Sequence, residues 1–123
     1  MAAMKKTTKA RSEQYRLAGR LWIEGRDGTF LGYGRVVLLE RIGEHGSISA
    51  AARSMSMSYR HAWKLIDSIN GQAAEPLVVM STGGSGGGGA KLTVAGERAI
   101  NSFWTAHREF SEFLEQRTEG LGL

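Results

Sequence analysis

Apolar and polar residues alternate from residue 15 to residue 24. Tyr15, Leu17, Gly19, Leu21 and Ile23 form one series, and Arg16, Ala18, Arg20, Trp22 and Glu24 the other. A period of two predicts a strand with one apolar face. Gly25-Arg26-Asp27-Gly28 supplies turn chemistry, Asp-Gly in particular, so Thr29-Phe30-Leu31 is expected to return as a second strand. Gly32-Tyr33-Gly34 breaks the hairpin, and the period lengthens. A helix is predicted from Arg35 to His45, with Val37, Leu38, Arg41 and Ile42 around its buried stripe and Gly46 as the C′ residue that ends it.

The next helix is short and built on Ala50, Ala51 and Ala52, which favour helix and keep the surface thin enough for close approach. Ser49 is its expected N-cap, with Ser47 the alternative, because a serine hydroxyl accepts an orphan backbone N–H. A turn then leads to Ser58, the cap of a longer helix. Ala62, Leu65, Ile66 and Ile69 fall at i, i+3, i+4 and i+7, one buried stripe. At about 100° per residue, Arg60 and Lys64 lie nearly opposite that stripe, beside Asp67 and Ser68, while Tyr59 and Trp63 flank it. Two helices joined by a short turn, the second with an apolar back and a cationic front, have the layout of a helix-turn-helix. The second helix of such a motif enters the DNA major groove.

Downstream, Leu77-Val78-Val79-Met80, a glycine loop from Gly83 to Gly89 and Lys91-Leu92-Thr93 read as a hairpin following the recognition helix, a wing. A long helix is predicted from Val94 to Gln116. Ile100, Phe103, Trp104, His107, Phe110, Phe113 and Leu114 give it an aromatic stripe larger than one small domain needs, so part of it is expected to face a second copy of the chain. The predicted class is α+β: a winged helix-turn-helix with an N-terminal β-hairpin, a glycine-rich wing and a long C-terminal dimerisation helix. Residues 1–13 lack apolar periodicity and read as a flexible basic arm, leaving 14–123 as one domain.

A formal net charge of +4 is compatible with polyanion binding, and its distribution says more. Lys5, Lys6, Lys9, Arg11, Arg16 and Arg20 face Glu13 alone among the first 20 residues. Arg53, Arg60 and Lys64 lie between Gly46 and Ile66 with no acid between them, whereas acids outnumber bases from Glu97 onward. The basic part therefore covers the predicted reading head. Zero cysteines removes disulfides, thiolate metal sites and cysteine nucleophiles together. No apolar run reaches the roughly 20 residues of a membrane span, and the basic start has no apolar segment behind it. The cytoplasm is the expected location.

Arg60 is the candidate for a bidentate contact to guanine, with Ser58, Tyr59, His61 and Lys64 as its neighbours at the start of the reading helix. Ser49, at the start of the preceding helix, is counted with them, and Trp63 is expected to pack at the helix edge. In the wing, backbone N–H groups of Gly84 and Gly86, assisted by Thr82, Ser85 and Lys91, are expected along a phosphate backbone. Such a glycine loop is expected to stay mobile until something binds it. A Walker A loop is excluded, since Ala90 follows Gly89 and Leu92 follows Lys91. Gly84, Gly86 and Gly89 satisfy G-x-G-x-x-G, but a strand, not a helix, follows them. His45, His61 and His107 are scattered and belong to no catalytic motif, so no enzyme and no metal site are expected.

Two segments carry a family resemblance: GSISAAARSMSMSYRHAW (Gly46 to Trp63) and TGGSGGGGAKLTVAGER (Thr82 to Arg98). On them the chain resembles the N-terminal DNA-binding domain of the ModE family of molybdate-responsive regulators. More widely, it is similar to the winged helix-turn-helix of the LysR type, from about Gly32 to Gln116. The resemblance implies a homodimer on a palindromic operator, with Tyr59, Arg60 and His61 facing the groove. It implies dimer contacts through the strand hairpin and the final helix, hence Leu21, Ile23, Ile100, Phe103, Trp104, His107, Phe110 and Leu114. Ser56 stands where the family usually has a turn glycine, a change that a negative φ would tolerate. Family members continue into molybdate-binding domains, whereas this chain ends at Leu123, so no cofactor is expected on it. Two other functions compete: an oxyanion-binding protein that holds molybdate in the glycine loop, and an interaction module whose aromatic helix docks a protein partner.

Overall fold

The structure, a computed structural model, describes residues 14–82 and 88–123. The basic arm 1–13 and the loop positions Gly84, Ser85 and Gly86 lie outside the described residues. The elements run β1 (Ile23–Gly25), β2 (Gly28–Leu31), α1 (Tyr33–His45), α2 (Ile48–Ser54), α3 (Tyr59–Gln72), β3 (Val78–Ser81), β4 (Gly89–Leu92) and α4 (Val94–Glu119). They gather in two compact units. One is Trp22–Trp104; the other is Thr105–Leu123 with the described residues up to Leu21.

In the second unit the alternation that predicts a strand from Tyr15 does not produce one. Residues 15–22 have no ladder partner among the described residues, and β1 keeps only Ile23–Gly25. A strand needs a neighbour to bond, and β2 is spent on those last residues. Instead the Leu17 N–H donates to Thr118 Oγ1 at 2.9 Å, and the Phe110 ring lies against Gly19. The backbone at Leu17 and Gly19 thus lies along the later turns of α4.

In the larger unit, α1 starts two residues earlier than its pattern predicts. Its buried residues are Val36, Leu38, Leu39 and Ile42, so Val37 and Arg41 leave the expected stripe. Arg41 is instead a brace: its Nη1 donates to Ser54 O at 3.2 Å and Ser54 Oγ at 2.9 Å, fastening α1 to the end of α2. Gly46 ends α1 at φ 74°, in the left-handed region that glycine adopts without penalty. Its N–H reaches Ile42 O and its own carbonyl accepts from the Ala90 N–H, both at 2.8 Å, so the end of α1 is bonded to β4.

Ser47, not Ser49, caps α2. Its hydroxyl accepts from the Ala50 N–H at 3.0 Å, while Ser49 sits in the first turn and accepts from Arg53 Nη1 at 3.1 Å. Burying Ile48 decides this, because a cap at Ser49 would leave Ile48 outside the helix. The turn between α2 and α3 holds Ser56 at φ 53°, not at the negative value that would make serine harmless there. A left-handed non-glycine residue costs about 1–2 kcal/mol. Allowing for the backbone entropy of glycine, Ser56→Gly is expected to raise stability by about 0.5–1 kcal/mol. The readout is a higher urea midpoint; an unchanged or lower one would refute it.

The core of this unit is apolar throughout. Phe103, Leu31, Leu38, Leu39, Ile42, Ile48, Ile69 and Val36 are its largest fully buried side chains. Phe103 is wholly buried and Ile100 nearly so, which leaves them almost no surface for a second chain, against the dimer role expected of them. Trp104 is also engaged internally: its indole N–H donates to Glu40 Oε2 at 3.0 Å, and its ring meets Tyr33 and Phe103 edge to face. Thr93 begins α4, accepting the Gly96 N–H at 3.0 Å. The helix continues three residues beyond the predicted end, to Glu119. Helix, turn and helix (α2, α3) followed by the antiparallel pair β3–β4 make this α+β arrangement a winged helix-turn-helix.

Candidate nucleic-acid interface

The reading helix α3 is capped as its sequence predicts, with Ser58 Oγ accepting the His61 N–H at 3.0 Å. Ala62, Ile66 and Ile69 are buried and Leu65 half-buried, which turns Arg60, Lys64 and Asp67 outward. The side chains of Tyr59, Arg60, His61 and Lys64 are exposed and make no hydrogen bond or ion pair among the described residues. No acid occupies the first turn of α3, so the positive end of the helix dipole stands beside Arg60. A phosphate or a base-edge acceptor meets donors there.

Ser58 itself is spent on the cap, which leaves its hydroxyl less to offer a base. Ser49 is exposed but bonded to Arg53 one turn on, and the pair stands on α2 as a ready donor set. Arg53 is a candidate contact that motif reasoning passes over; its signal was its place in the acid-free stretch, i+4 from Ser49. Trp63, expected to pack at the helix edge, is 40% exposed and lies one turn from the half-exposed Tyr59. The helix front is therefore cationic with an aromatic flank.

The wing strands pair in the register Val78↔Leu92, Val79↔Lys91, Met80↔Ala90 and Ser81↔Gly89. Lys91 and Thr82 are exposed on it. Glycine at 89 suits a close approach: a Cβ there would meet the Ser81 hydroxyl and crowd the Ser81 carbonyl oxygen. Both flanks of α3 are fastened near its C-terminal end. Asn70, on the Trp63 flank, bonds the root of β3. On the other flank Gln72 Nε2 donates to Thr29 O at 3.1 Å, its Oε1 accepts the Asp27 N–H, and Ser68 Oγ accepts from Arg35 at 3.0 Å.

Of the residues assigned to dimerisation, Leu21, Ile23, Trp104, His107, Phe110 and Leu114 are half-buried. A cleft in the smaller unit is lined by Leu17, Gly19, Leu114 and Thr118, with Glu115, Glu119 and Arg16 as its charges. Its excess of acid suits no oxyanion. No helix among the described residues is long and apolar enough to cross a membrane.

The family described as bacterial regulatory helix-turn-helix proteins of the lysR family matches residues 34–97, from the first turn of α1 to the first turn of α4. Over 98 residues, 80% of this chain, the sequence is 41% identical to the molybdenum-pterin-binding protein MopB of Rhodobacter capsulatus. Over 106 residues, 86% of the chain, it is 39% identical to the molybdenum transport protein ModE of Azotobacter vinelandii. Over 69 residues, 56% of the chain, it is 44% identical to the DNA-binding transcriptional dual regulator ModE of Escherichia coli (strain K12). These matches cover 36%, 39% and 26% of the relatives' own lengths, so the chain spans little more than a third of the longest-matching ones.

Proposed function

The chain belongs to the lysR family of bacterial regulatory helix-turn-helix proteins and carries the ModE-type N-terminal domain, and from that premise we propose that it regulates transcription by binding a palindromic operator as a homodimer. The observation that carries this reading is the outward row Arg60 and Lys64 on α3, exposed and unpaired among the described residues, opposite the stripe that anchors the helix. Arg60 reads a guanine edge, Lys64, Arg53 and Lys91 neutralise phosphates, and affinity falls with salt as counterions are released. Two copies place their reading helices on half-sites about 34–36 Å apart. Leu21, Ile23, His107, Phe110 and Leu114 are the candidate contacts between copies. DNA contact by these side chains needs no cofactor.

Fluorescence anisotropy on DNA from the protein's own upstream region, against random duplex at two salt concentrations, tests the reading. Arg60→Ala is expected to erode discrimination by about 1–3 kcal/mol at one base pair. Lys91→Ala is expected to weaken all sequences alike and to reduce the salt slope by about 0.9. Equal losses on specific and random DNA for Arg60→Ala would refute its base-reading role. The names of the relatives tie those proteins to molybdenum, and we extend that tie to this regulator. Transcript levels with molybdate supplied and withheld, in cells with and without the chain, test it; a transcript set indifferent to molybdate removes the link.

A further inference from the structure

The last turns of α3 and the root of the wing meet at a single side chain. Asn70 Oδ1 accepts from the Leu77 N–H at 2.8 Å and the Val78 N–H at 3.3 Å, and its Nδ2 donates to Val78 O at 2.9 Å. An amide offers an acceptor and a donor together, so Asn70 meets the backbone of β3 as a neighbouring strand would. The opposite edge of the same point is held by Thr93, between β4 and α4: its N–H donates to Leu77 O at 3.0 Å, and its Oγ1 donates to Pro76 O at 2.7 Å. Leu77 is thus bonded through its N–H to the reading helix and through its carbonyl to Thr93, the residue that follows β4 and caps α4.

From this geometry we infer that Asn70 is a positioning residue that sets the wing against the reading helix, so that Arg60 and Lys91 engage one duplex at the same time. The inference rests on the DNA-binding reading above. Val78 opens β3 and pairs with Leu92, while Lys91 pairs with Val79, one position farther along the hairpin. Lys91 therefore stands one register step, roughly 3.3 Å along the strand and about 4.8 Å across it, from Val78, the residue that the amide holds. Hydrogen bonds and phosphate contacts weaken steeply when misaligned, so a wing free to tilt at its root no longer holds Lys91 on a phosphate while α3 sits in the groove. Removing the amide leaves the front of α3 untouched, because Asn70 lies on the flank of the helix and Arg60 on its outer face.

A double-mutant cycle on DNA affinity tests this. Wild type, Lys91→Ala, Asn70→Ala and the double variant are titrated by anisotropy on the same specific duplex, each well below its melting temperature by circular dichroism. The expected result is that the loss caused by Lys91→Ala shrinks by at least about two-fold in the Asn70→Ala background. Asn70→Ala alone should lower the salt slope by about 0.9, as if the Lys91 phosphate contact were gone, with the Arg60-dependent base preference retained. The same factor for Lys91→Ala in both backgrounds overturns the inference while leaving the DNA-binding reading intact. A Lys91→Ala variant that binds like wild type overturns the wing's role and the inference with it, whereas a wild type without specific binding overturns the reading beneath both. Should Asn70→Ala not fold, Asn70→Gln carries the test, because it stays neutral and keeps a donor and an acceptor but sets them one methylene away from the root of β3. A smaller coupling of the same sign is then expected, and none would overturn the inference.

Discussion

Replacing Phe103 by alanine is expected to lower folding free energy by about 3–5 kcal/mol, the range for emptying an aromatic side chain from a packed core. Phe103 is wholly buried and meets Trp104 edge to face with ring centres 5.3 Å apart. Its loss removes transfer free energy and leaves a cavity that the surrounding helices fill only in part. The measurement is urea unfolding of wild type and Phe103→Ala, repeated at low and high protein concentration. The same drop is expected at both concentrations, because the side chain packs within its own unit. A drop that vanishes at high concentration would return Phe103 to a subunit interface, since a contact between copies is strengthened by mass action.

Gly96→Ala is expected to destabilise by about 2 kcal/mol, although helix propensity alone favours alanine by about 1 kcal/mol. Gly96 lies in the first turn of α4, and a Cβ there would strike the Leu77 carbonyl oxygen. That oxygen cannot withdraw cheaply: it accepts from the Thr93 N–H, and Asn70 holds the N–H of the same residue. Gly71 provides the internal control. It also sits in a helix, but open space surrounds the position where its Cβ would be. Gly71→Ala should therefore gain about 0.5–1 kcal/mol by propensity. Thermal melts of the two variants should move in opposite directions; a rise for Gly96→Ala would show that the helix start has slack.

Gly96 also bears on the wing. The Gly-Glu-Arg that follows Leu-Thr reads, in sequence, as a family mark at the start of a helix. The structure supplies its physical content. Thr93 caps the helix, bonds both Pro76 and Leu77, and the missing side chain at 96 lets α4 press against the strand that carries the wing. Asn70 reaches the same strand from the reading helix. Motif, cap and close approach thus act on one short stretch of backbone, which is why changes there should alter DNA contact as well as stability.

Much of the candidate interface was legible in local pattern. Ser58 is a cap by residue type, Ala62, Ile66 and Ile69 repeat at helical spacing, and Arg60 and Lys64 must then face away from the core. Those inferences need only the geometry of one helix. Where two elements compete for a residue, pattern stopped working. The alternation before Ile23 promised a strand, yet a strand exists only with a partner, and among the described residues β2 pairs with Ile23–Gly25 instead. Ser49 and Ser47 are equivalent as caps by chemistry, and burial of Ile48 chose between them. The aromatic stripe of α4 looked surplus because the partners of Trp104 in space, Tyr33 and Glu40, are distant along the chain.

The sequence by itself determined the helix-turn-helix and its cationic front, the two hairpins, the long final helix and the family, because each depends on residues close together in the chain. Only the tertiary structure decided that Phe103 and Ile100 belong to the core, that Ser56 turns left-handed, and that Asn70 and Gln72 fasten the reading helix on its two flanks. Those outcomes depend on which surfaces meet. Burial and hydrogen-bond partnership are relations between distant segments, and no periodicity within one segment encodes them.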